Sequence, residues 1–194
     1  MDEITAAKRF WRRELRRRIA ELSPSERRRK SARIVELIWD RLRQERPATV
    51  AVFAPMPVEP DLMPLLEEPV TWVFPKIAGE GLTLWAVDQP DHLATQSHGL
   101  LEPDEAHCSV VSPGDLTWVL VPGLGFGLDG SRLGRGKGYY DRLLSEVNGR
   151  IIGVAFTEQV EPAMPRDEWD RPMEELVTDA GWLRCEPATS PPLW

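Results

Sequence analysis

The sequence has few of the cysteines and histidines that form disulfide scaffolds and zinc sites, and it lacks the long apolar runs that form membrane anchors. Its two cysteines, Cys108 and Cys185, lie far apart and lack metal-ligand spacing, so we expect reduced thiols. Its three histidines form no ligand pair at helical spacing, and we expect no zinc site. There is no run of about eighteen apolar residues and no apolar signal core at the charged start. We therefore expect no membrane span and a cytoplasmic protein.

Charge is unevenly distributed along the 194 residues, whose formal net charge is −7. Residues 1–46 hold fifteen Lys/Arg and eight Asp/Glu, a balance of +7, and the remainder carries −14. A basic N-terminal part is compatible with nucleic-acid binding. The arginine runs at residues 16–18 and 27–29, however, contain no aromatic residues and point to several sides of a helix. We interpret most of these arginines as polar faces of surface helices and expect no nucleic-acid partner.

The order of predicted elements favours a three-layer α/β fold. Apolar residues at intervals of three and four predict a helix over about residues 5–22, and Ser23-Pro24-Ser25-Glu26 is typical of the start of a second helix. Buried strands are predicted at 49–54, 70–74, 82–87, 118–121 and 150–156. This order predicts a single domain over residues 1–194, with an N-terminal helical hairpin and a mainly parallel sheet flanked by helices. Residues 186–194, with three prolines, are expected to form a poorly ordered tail.

Residues 118–144 are the stretch around which this order is arranged. A short apolar strand at 118–121 is closed by proline and glycine, and a helix is predicted from Tyr139. Between them lies a glycine-rich segment that ends in Gly-Arg-Gly-Lys-Gly at residues 134–138. This arrangement binds phosphate, because glycines let the backbone approach an anion and a helix start offers free N–H groups. Arg135 and Lys137 add positive charge, and Asp141 is placed to hold magnesium against the same phosphates.

Two widespread phosphate-binding motifs do not fit this segment. The glycine spacing of residues 125–130 matches a Walker A loop, but Ser131-Arg132 follows where Lys-Ser or Lys-Thr is needed. The glycines at 134, 136 and 138 have the wrong third interval for a dinucleotide fingerprint. The alternative interpretation is a flexible, glycine-rich surface loop. The alternating basic residues and the Tyr-Tyr-Asp-Arg that follows argue against that alternative.

A longer motif in this stretch resembles the signature of the 5-formyltetrahydrofolate cyclo-ligases, also called 5,10-methenyltetrahydrofolate synthetases. The matching residues are Pro122-Gly123-Leu124-x-Phe126 and Gly130-x-Arg132-Leu133-Gly134-Arg135-Gly136-Lys137-Gly138-Tyr139-Tyr140-Asp141-Arg142. The resemblance extends from about Lys8 to Asp179. It implies ATP- and magnesium-dependent conversion of 5-formyltetrahydrofolate to 5,10-methenyltetrahydrofolate, with release of ADP and phosphate. The formyl oxygen is phosphorylated and N10 then closes the ring.

The resemblance also implies which residues form the site. Arg135 and Lys137 are the implied catalytic residues, since phosphoryl transfer needs positioning and charge neutralisation. The implied folate-binding residues are Met56, Glu59, Arg135 and Tyr139, and the implied magnesium ligands are Asp141 and Asp170. The implied substrate carries one or more glutamates. We also expect the protein to be a monomer. The implied ATP-binding residues are Lys8, Arg12, Arg132, Gly134, Arg135, Gly136, Lys137, Gly138, Tyr139 and Tyr140.

Some of these residues also have a purely structural interpretation. Glu59 and Asp61 follow the strand at 49–54, at the usual ligand edge of a parallel sheet. Asp61 is expected to cap the segment 62–66, which leaves Glu59 for the pterin. Met56 is equally compatible with packing. Trp85 is a candidate for the folate pocket, with core packing as the default interpretation.

The chain departs from the family pattern at two positions. Trp169 stands where many members have histidine before the metal-binding aspartate, which weakens any role for that position. Gly127 stands where aspartate is common after phenylalanine. The element Gly99-x-x-Glu102-Pro103 does resemble the family, but we assign it no chemistry.

Two other classes of function remain open on the sequence alone. One is an ATP-dependent phosphotransferase that uses the same loop with another small-molecule acceptor, and the presence of Glu59 counts against it. The other is a non-catalytic relative that binds RNA through its basic N-terminal helices. The presence of Lys137 and Asp141 counts against this second class, whereas a strong, salt-sensitive affinity for RNA would favour it.

Overall fold

The computed structural model describes residues 3–95, 101–167 and 169–186. Its α-helices are α1 (Glu3–Glu21), α2 (Pro24–Glu45) and the short α3 (Tyr139–Leu144), so the predicted N-terminal hairpin is confirmed. None of the described helices is long and apolar enough to cross a membrane. Residues 187–194 of the predicted tail, and residues 99–100 of the family element, lie outside the described residues.

The start of α2 shows why the helix boundary could be predicted. The Ser23 hydroxyl accepts a hydrogen bond from the Glu26 amide at 3.2 Å, and the Glu26 carboxylate accepts one from the Ser23 amide at 2.8 Å. This reciprocal cap satisfies two backbone donors that a helix start otherwise leaves free. It also fixes the turn by which α1 and α2 form a hairpin.

The described residues form thirteen strands, most of them short. In chain order they are β1 (Thr49–Ala51), β2 (Thr71–Ala78), β3 (Gly81–Val87), β4 (Leu93–Thr95), β5 (Leu101–Pro103), β6 (Ser109–Val111), β7 (Trp118–Val121), β8 (Gly125–Gly127), β9 (Arg132–Leu133), β10 (Arg150–Val154), β11 (Val160–Glu161), β12 (Glu175–Thr178) and β13 (Gly181–Arg184).

Eight of these strands form the central sheet, in the order β13-β12-β10-β7-β1-β2-β3-β6. The strands from β12 to β2 are mutually parallel, which confirms the mainly parallel sheet. Both edges are antiparallel, because β13 pairs with β12, and β3 pairs with β2 and β6. The β2–β3 hairpin turns at Gly79, which has a φ of +58°. The predicted parallel arrangement therefore does not extend to the edges of the sheet.

The central sheet is packed on both faces, which confirms the three layers. Successive residues of a strand point to opposite faces, and each face has its own core. On one face α2 buries Ile34, Ile38 and Leu42 against Val50, Leu120 and Ile152. On the other face α3 and the turn after it bury Leu143, Leu144 and Val147 against Val119, Val121 and Ile151.

Helix α1 packs on a smaller sheet beside the central one. The small sheet has the order β11-β8-β9. Leu15 of α1 forms a cluster with Leu124, Leu133 and Met164 from around these strands. This packing places the N-terminal half of α1 over the glycine-rich segment.

The connection between β1 and β2 holds the two acidic residues singled out in the sequence. It contains a 3-10 helix (Met63–Glu67) where the segment 62–66 was expected to be helical. Asp61 Oδ1 accepts a hydrogen bond from the Met63 amide at 3.1 Å. The N-cap residue of this 3-10 helix is Leu62, without a side-chain cap, so Asp61 bonds the first turn from one position before the N-cap and not as the predicted cap itself, and Glu59 is left for another role.

Candidate active site

A cavity of about 940 Å³ lies beyond the carboxyl ends of β1 and β7. Neighbouring parallel strands end there, at the edge where α/β sheets usually bind ligands. The cavity wall gathers six separate segments of the chain and includes every residue that the resemblance implied for the site. These are Lys8, Arg12, Met56, Glu59, Arg132, Gly134, Arg135, Gly136, Lys137, Gly138, Tyr139, Tyr140, Asp141 and Asp170.

The glycine-rich segment consists of two different structures. Its first half forms β8, the following turn and β9, where Gly125 and Gly127 are buried. A Cβ on Gly125 would lie 2.5 Å from Leu15 Cδ1, so glycine here permits close packing of α1. The second half, residues 134–138, lines the cavity. The interpretation as a flexible surface loop is therefore wrong for the first half, which is an ordered and buried part of the small sheet.

The second half of this segment follows a backbone path that requires glycine. Gly136 has a φ of +100° and Gly138 a φ of +70°, values that L side chains rarely adopt. Gly138 directly precedes α3, which is only six residues long. Because the dipole of so short a helix is small, the positive charge at the loop comes mainly from Arg135 and Lys137.

Lys137 is exposed, and its ammonium group has no ion-pair or hydrogen-bond partner within the described ranges. Its backbone carbonyl accepts a hydrogen bond from Arg142 Nη2 at 3.0 Å, which ties the loop to α3. The main chain is thus held while the side chain remains available. That combination suits a residue that contacts an anionic ligand.

Glu59 and Arg135 form an ion pair across the cavity. Glu59 Oε1 accepts hydrogen bonds from Arg135 Nη2 at 2.8 Å and from Nε at 3.3 Å, and its Oε2 accepts one from the Met56 amide at 3.0 Å. The Glu59 side chain is 7% exposed and that of Arg135 is 35% exposed. The carboxylate implied for folate and the guanidinium implied for phosphate are therefore direct partners.

Arg132 braces the loop against α3. Its side chain is buried, its Nη1 donates to the Pro122 carbonyl at 3.4 Å, and its Nη2 pairs with the Asp141 carboxylate. Its guanidinium also lies 5.6 Å from the centroid of the Tyr140 ring. Arg132 thus has a structural role that the sequence did not indicate, beside any contact with ATP.

Both tyrosines of the motif line the cavity. Tyr140 packs against the core cluster under α3. Burial, with a smaller effect from the Glu59 charge, raises the pKa of its phenol well above the ordinary value, so the hydroxyl stays protonated near neutral pH. The Tyr139 ring lies 5.7 Å below the Arg142 guanidinium. The sequence left open which tyrosine faces the site, and the structure places both on its wall.

The N-terminal half of α1 is fastened to two other parts of the wall. Lys8 Nζ pairs with Asp167 Oδ2 at 2.7 Å and lies 3.8 Å from Asp170 Oδ2. One turn further on, Arg12 Nε donates to the Gly134 carbonyl at 3.0 Å. The two residues share a helix face as their spacing predicted, and that face closes the cavity.

The two carboxylates implied for magnesium lie on the same cavity wall, and each has a cationic neighbour. Asp141 pairs with Arg132, and Asp170 lies beside Lys8. Within the described ranges there is no group of three or more His, Cys, Asp or Glu that could hold a metal ion. Magnesium in phosphoryl-transfer sites commonly uses one or two carboxylates together with phosphates and water. The pair therefore fits a magnesium ion that arrives with a nucleotide.

Sequence reasoning missed one side of the cavity. Its apolar wall is formed by Phe53, Pro75, Ile77, Leu82 and Leu101. Apolar residues on strands look alike in a sequence whether they face a core or a pocket, so no signal separated them.

Several polar residues of the wall were also missed or left without a role. Asp167, Arg142 and Trp169 were not assigned, and Glu102 was given no chemistry, although all four line the cavity. For Trp169 the available signal was its departure from the family pattern. Trp85 is absent from the cavity wall described by the structure. It is half-buried on β3 and lies in none of the core clusters of the described residues, and its Nε1 donates to Thr83 Oγ1 at 3.0 Å. The structure therefore supports neither the pocket nor the core-packing interpretation of Trp85.

Many of the N-terminal arginines are paired with carboxylates. Arg17 pairs with Glu14 and Glu21 of the same helix, and Arg18 pairs with Glu14 and with Glu161 of β11. Paired side chains of this kind present less positive charge to a polyanion. The arrangement agrees with the interpretation of α1 and α2 as solvated surface helices.

Comparison with known proteins gives a consistent result. Residues 4–179 match the model of the 5-formyltetrahydrofolate cyclo-ligase family. A mouse protein named 5-formyltetrahydrofolate cyclo-ligase is 29% identical over 191 residues, covering 90% of this chain and 94% of that protein. An Escherichia coli K12 protein of the same name is 32% identical over 143 residues, covering 67% of this chain and 77% of that protein.

Solved structures resemble the chain over nearly its whole length. The NMR structure of 5,10-methenyltetrahydrofolate synthetase from Aquifex aeolicus has a TM-score of 0.81 and 38% identity and covers 96% of each chain. A 5,10-methenyltetrahydrofolate synthetase from Mycoplasma pneumoniae, at 22% identity and a TM-score of 0.70, covers 92% of this chain and 99% of its own and has the same fold.

Proposed function

Because the chain belongs to the 5-formyltetrahydrofolate cyclo-ligase family, and is therefore a ligase, we propose that it converts 5-formyltetrahydrofolate to 5,10-methenyltetrahydrofolate at the expense of ATP. The observation that carries the proposal is the composition of one cavity. A basic glycine loop and an apolar wall with a buried carboxylate meet there. The basic loop suits a triphosphate, and the apolar wall with its carboxylate suits a flat heterocycle with N–H donors.

The reaction begins with transfer of the γ-phosphoryl group of ATP to the formyl oxygen, which releases ADP. The resulting imidate phosphate has a good leaving group. N10 attacks the formyl carbon and loses its proton, a five-membered ring closes, and the C–O bond breaks, so that inorganic phosphate departs with the formyl oxygen and takes up the proton. Phosphoryl transfer needs mainly alignment and neutralisation of charge. Arg135 and Lys137 supply the charge, and the positive-φ backbone at Gly136 and Gly138, open to glycine because it lacks a Cβ, lets the phosphates approach.

The folate half of the site is built around Glu59. Its carboxylate accepts hydrogen bonds from the Met56 amide and from Arg135, which orient it before the substrates bind. We propose that this carboxylate accepts hydrogen bonds from the N–H groups of the pterin, while Met56 and Tyr139 pack against the pterin ring. Phe53, Pro75, Ile77, Leu82 and Leu101 line the same cavity, and we assign to these apolar residues the exclusion of water from the bound substrate. Water exclusion matters because it protects the imidate phosphate from hydrolysis.

The two carboxylates on the phosphate side are assigned to magnesium. Asp141 and Asp170 would hold the ion, which when bound neutralises charge on the phosphates. Arg132 and Lys8, each beside one of these carboxylates, are assigned to phosphate oxygens. The remaining ATP contacts are assigned to Arg12, to the loop backbone and to Tyr140, which stays a hydrogen-bond donor.

We further propose that residues 1–194 act as one α/β domain and as a monomer. The cavity wall draws on residues from Lys8 to Asp170 of a single chain. The proposed substrate is 5-formyltetrahydrofolate with one or more glutamates on its tail. Gel filtration coupled to light scattering tests whether the protein is a monomer in solution.

The decisive test mixes the purified protein with 5-formyltetrahydrofolate, ATP and magnesium. Formation of the methenyl product is followed by its near-ultraviolet absorbance, with omission of each component in turn. We expect a rise that requires all three. A protein that binds ATP but gives no rise would be a phosphotransferase with another acceptor or a non-catalytic relative, and the proposal would be wrong.

A further inference from the structure

Trp169 combines strong exposure with a place on the cavity wall. It is 79% exposed, the highest exposure among the large apolar side chains recorded for the described residues, and it lines the cavity near its opening. A single exposed apolar residue needs no explanation by itself. A flat indole at the mouth of a proposed nucleotide site is different, because it offers an aromatic face to whatever enters.

The turn that carries Trp169 is fastened on both sides of the residue. The Asp167 amide donates to Asp170 Oδ2 at 2.9 Å, and both of these aspartates face Lys8 of α1. On the C-terminal side, Arg171 Nη1 donates to the Leu144 carbonyl at 3.0 Å and also contacts the carbonyl of Val147. Asp167, Asp170 and Arg171 are therefore held by these contacts, while the Trp169 indole is exposed, an arrangement that suits a stacking platform.

Contacts of α1 connect this turn with the phosphate loop. Lys8 holds the turn, and Arg12, one helical turn later, donates to the Gly134 carbonyl. The carboxylate of Glu59 and the apolar wall belong to other elements, the connection after β1 and the β2–β3 hairpin. Trp169 therefore lies beside the phosphate side of the cavity. A nucleotide whose phosphates occupy residues 134–138 would extend its base along α1 toward this turn.

We propose that the Trp169 indole is the stacking platform for the base of the nucleotide substrate. This inference rests on the proposed function in one respect, which is that the substrate is a nucleoside triphosphate. Every base has a π-face, so stacking on an aromatic ring contributes affinity with little selection among bases. Adenine and guanine nucleotides should therefore both use the platform, and a triphosphate without a base should not.

The test measures equilibrium binding to the whole protein by titration calorimetry in the absence of folate. The ligands are ADP, GDP and inorganic tripolyphosphate, each with magnesium. We expect Trp169→Ala to weaken ADP and GDP by about 5- to 30-fold and to leave tripolyphosphate unchanged. Trp169→Phe should recover most of the loss because it restores an aromatic face. Phe10→Ala is the matched control, an aromatic that is 52% exposed on α1 and away from the cavity wall, and it should bind all three ligands as the wild type does.

Two results would overturn the inference. They are unchanged ADP and GDP binding in Trp169→Ala, and a loss of tripolyphosphate binding equal to the loss of ADP binding. Because binding is measured without folate, a failure here is distinct from a failure of cyclo-ligase turnover in the wild type.

Discussion

The Glu59–Arg135 ion pair is the residue-level feature that links the two halves of the site. A buried carboxylate is costly unless it keeps a charged or hydrogen-bonding partner. Arg135 serves as that partner in the structure. If phosphate draws Arg135 away, the N–H groups of a pterin can take its place on Glu59. The pair thus provides a physical reason for the two substrates to favour each other's binding.

Glu59→Gln separates the two contributions. The amide keeps the size of the side chain but loses the charge, so we expect the KM for 5-formyltetrahydrofolate to rise about tenfold, in line with the loss of a charge-assisted hydrogen bond. Binding of ATP should not weaken, because Arg135 is released. Steady-state kinetics with each substrate varied in turn makes the measurement. Glu146→Gln, at an exposed glutamate away from the cavity wall, is the control, and an equal rise in the KM for ATP would refute the assignment.

Lys137→Ala tests the charge on the loop without disturbing the fold. The ammonium group has no partner within the described ranges, so stability should change by no more than about 0.5 kcal/mol. We expect kcat/KM to fall by about 100-fold or more, since a cation at the transferred phosphoryl group is lost. Thermal unfolding and turnover are compared with Arg16→Ala, an exposed cation on α1. Turnover at the wild-type level would remove Lys137 from the mechanism.

The residues of the site were predictable to the extent that a motif carries them. Spacing and resemblance identified the basic loop, the carboxylates and the Lys8–Arg12 face, and all of them line the cavity. The apolar wall was not predictable, because apolar residues on strands, such as Ile77 and Leu82, look the same in a sequence whether they face a core or a pocket. The burial of Arg132 against Asp141 was not predictable either, because the partner of a side chain depends on the path that the loop takes in the fold.

Among the elements, the glycine loop has a conformation that a single methyl group should distort. Ala at Gly136 would have to adopt a φ near +100°, at a cost of about 1–3 kcal/mol. Gly181 is a matched control, since its φ is +137°, nothing lies within 4 Å of its missing Cβ, and it lies off the cavity wall. We expect Gly136→Ala and Gly181→Ala to lose similar stability in urea unfolding, but only the first to lose turnover. Equal turnover in both would mean that the loop conformation is unimportant for catalysis.

The docking of α1 is the second element-level determinant of the site. Leu15 is completely buried between α1 and the small sheet, and α1 carries Lys8 and Arg12 to the cavity. Leu15→Ala should destabilise the fold by about 3 kcal/mol and also weaken nucleotide binding, because the helix can shift. Leu42→Ala, at a buried position of α2 in another core cluster, should cost similar stability with unchanged nucleotide affinity. Calorimetric titration with ADP distinguishes the two variants, and equal affinities would show that α1 docking does not position the site.

Elements with strong local signals were predictable, and short strands without such signals were not. The α1–α2 hairpin follows from apolar periodicity and from the Ser23 cap, both readable within a few residues. The pairs β4–β5 and β8–β9 join neighbouring strands but are very short, and β11 depends on a partner, β8, that lies far back in the chain. Two- and three-residue strands such as β8 and β9 also contain too few residues for a period-two pattern.

At the scale of the whole molecule, the charge asymmetry of the sequence becomes a set of contacts between the two halves. Cations of the basic N-terminal helices pair with carboxylates of the acidic remainder. Examples are Arg18 with Glu161, Lys30 with Asp179, and Arg41 with Glu175. The helices are thus attached to the sheet by charge as well as by their apolar faces. The same pairing leaves fewer free cations for RNA.

These contacts predict that the fold is sensitive to acid. Burial tends to raise the pKa of Asp179, but hydrogen bonds from Lys30 and Thr157 outweigh it and hold that pKa below the ordinary value. Hydrogen bonds from Arg17 and Arg18 lower the pKa of Glu14 to about 2. A carboxylate with a lowered folded-state pKa stabilises the protein above its unfolded-state pKa, and this stabilisation is lost as pH falls through the folded value. The free energy of unfolding should therefore be nearly constant from about pH 7 to 5 and fall between about pH 4 and 2.

Asp179→Asn isolates one contributor to this acid sensitivity. The amide cannot form the ion pair with Lys30, so the variant should be less stable than the wild type near pH 7. The difference should shrink below about pH 4, because the wild-type carboxyl then becomes neutral as well. Urea unfolding at a series of pH values measures both curves. Asp91→Asn, at an exposed position, should run parallel to the wild type. A gap between Asp179→Asn and the wild type that stays constant down to about pH 2 would mean that packing, and not the charge of Asp179, joins α2 to the edge of the sheet.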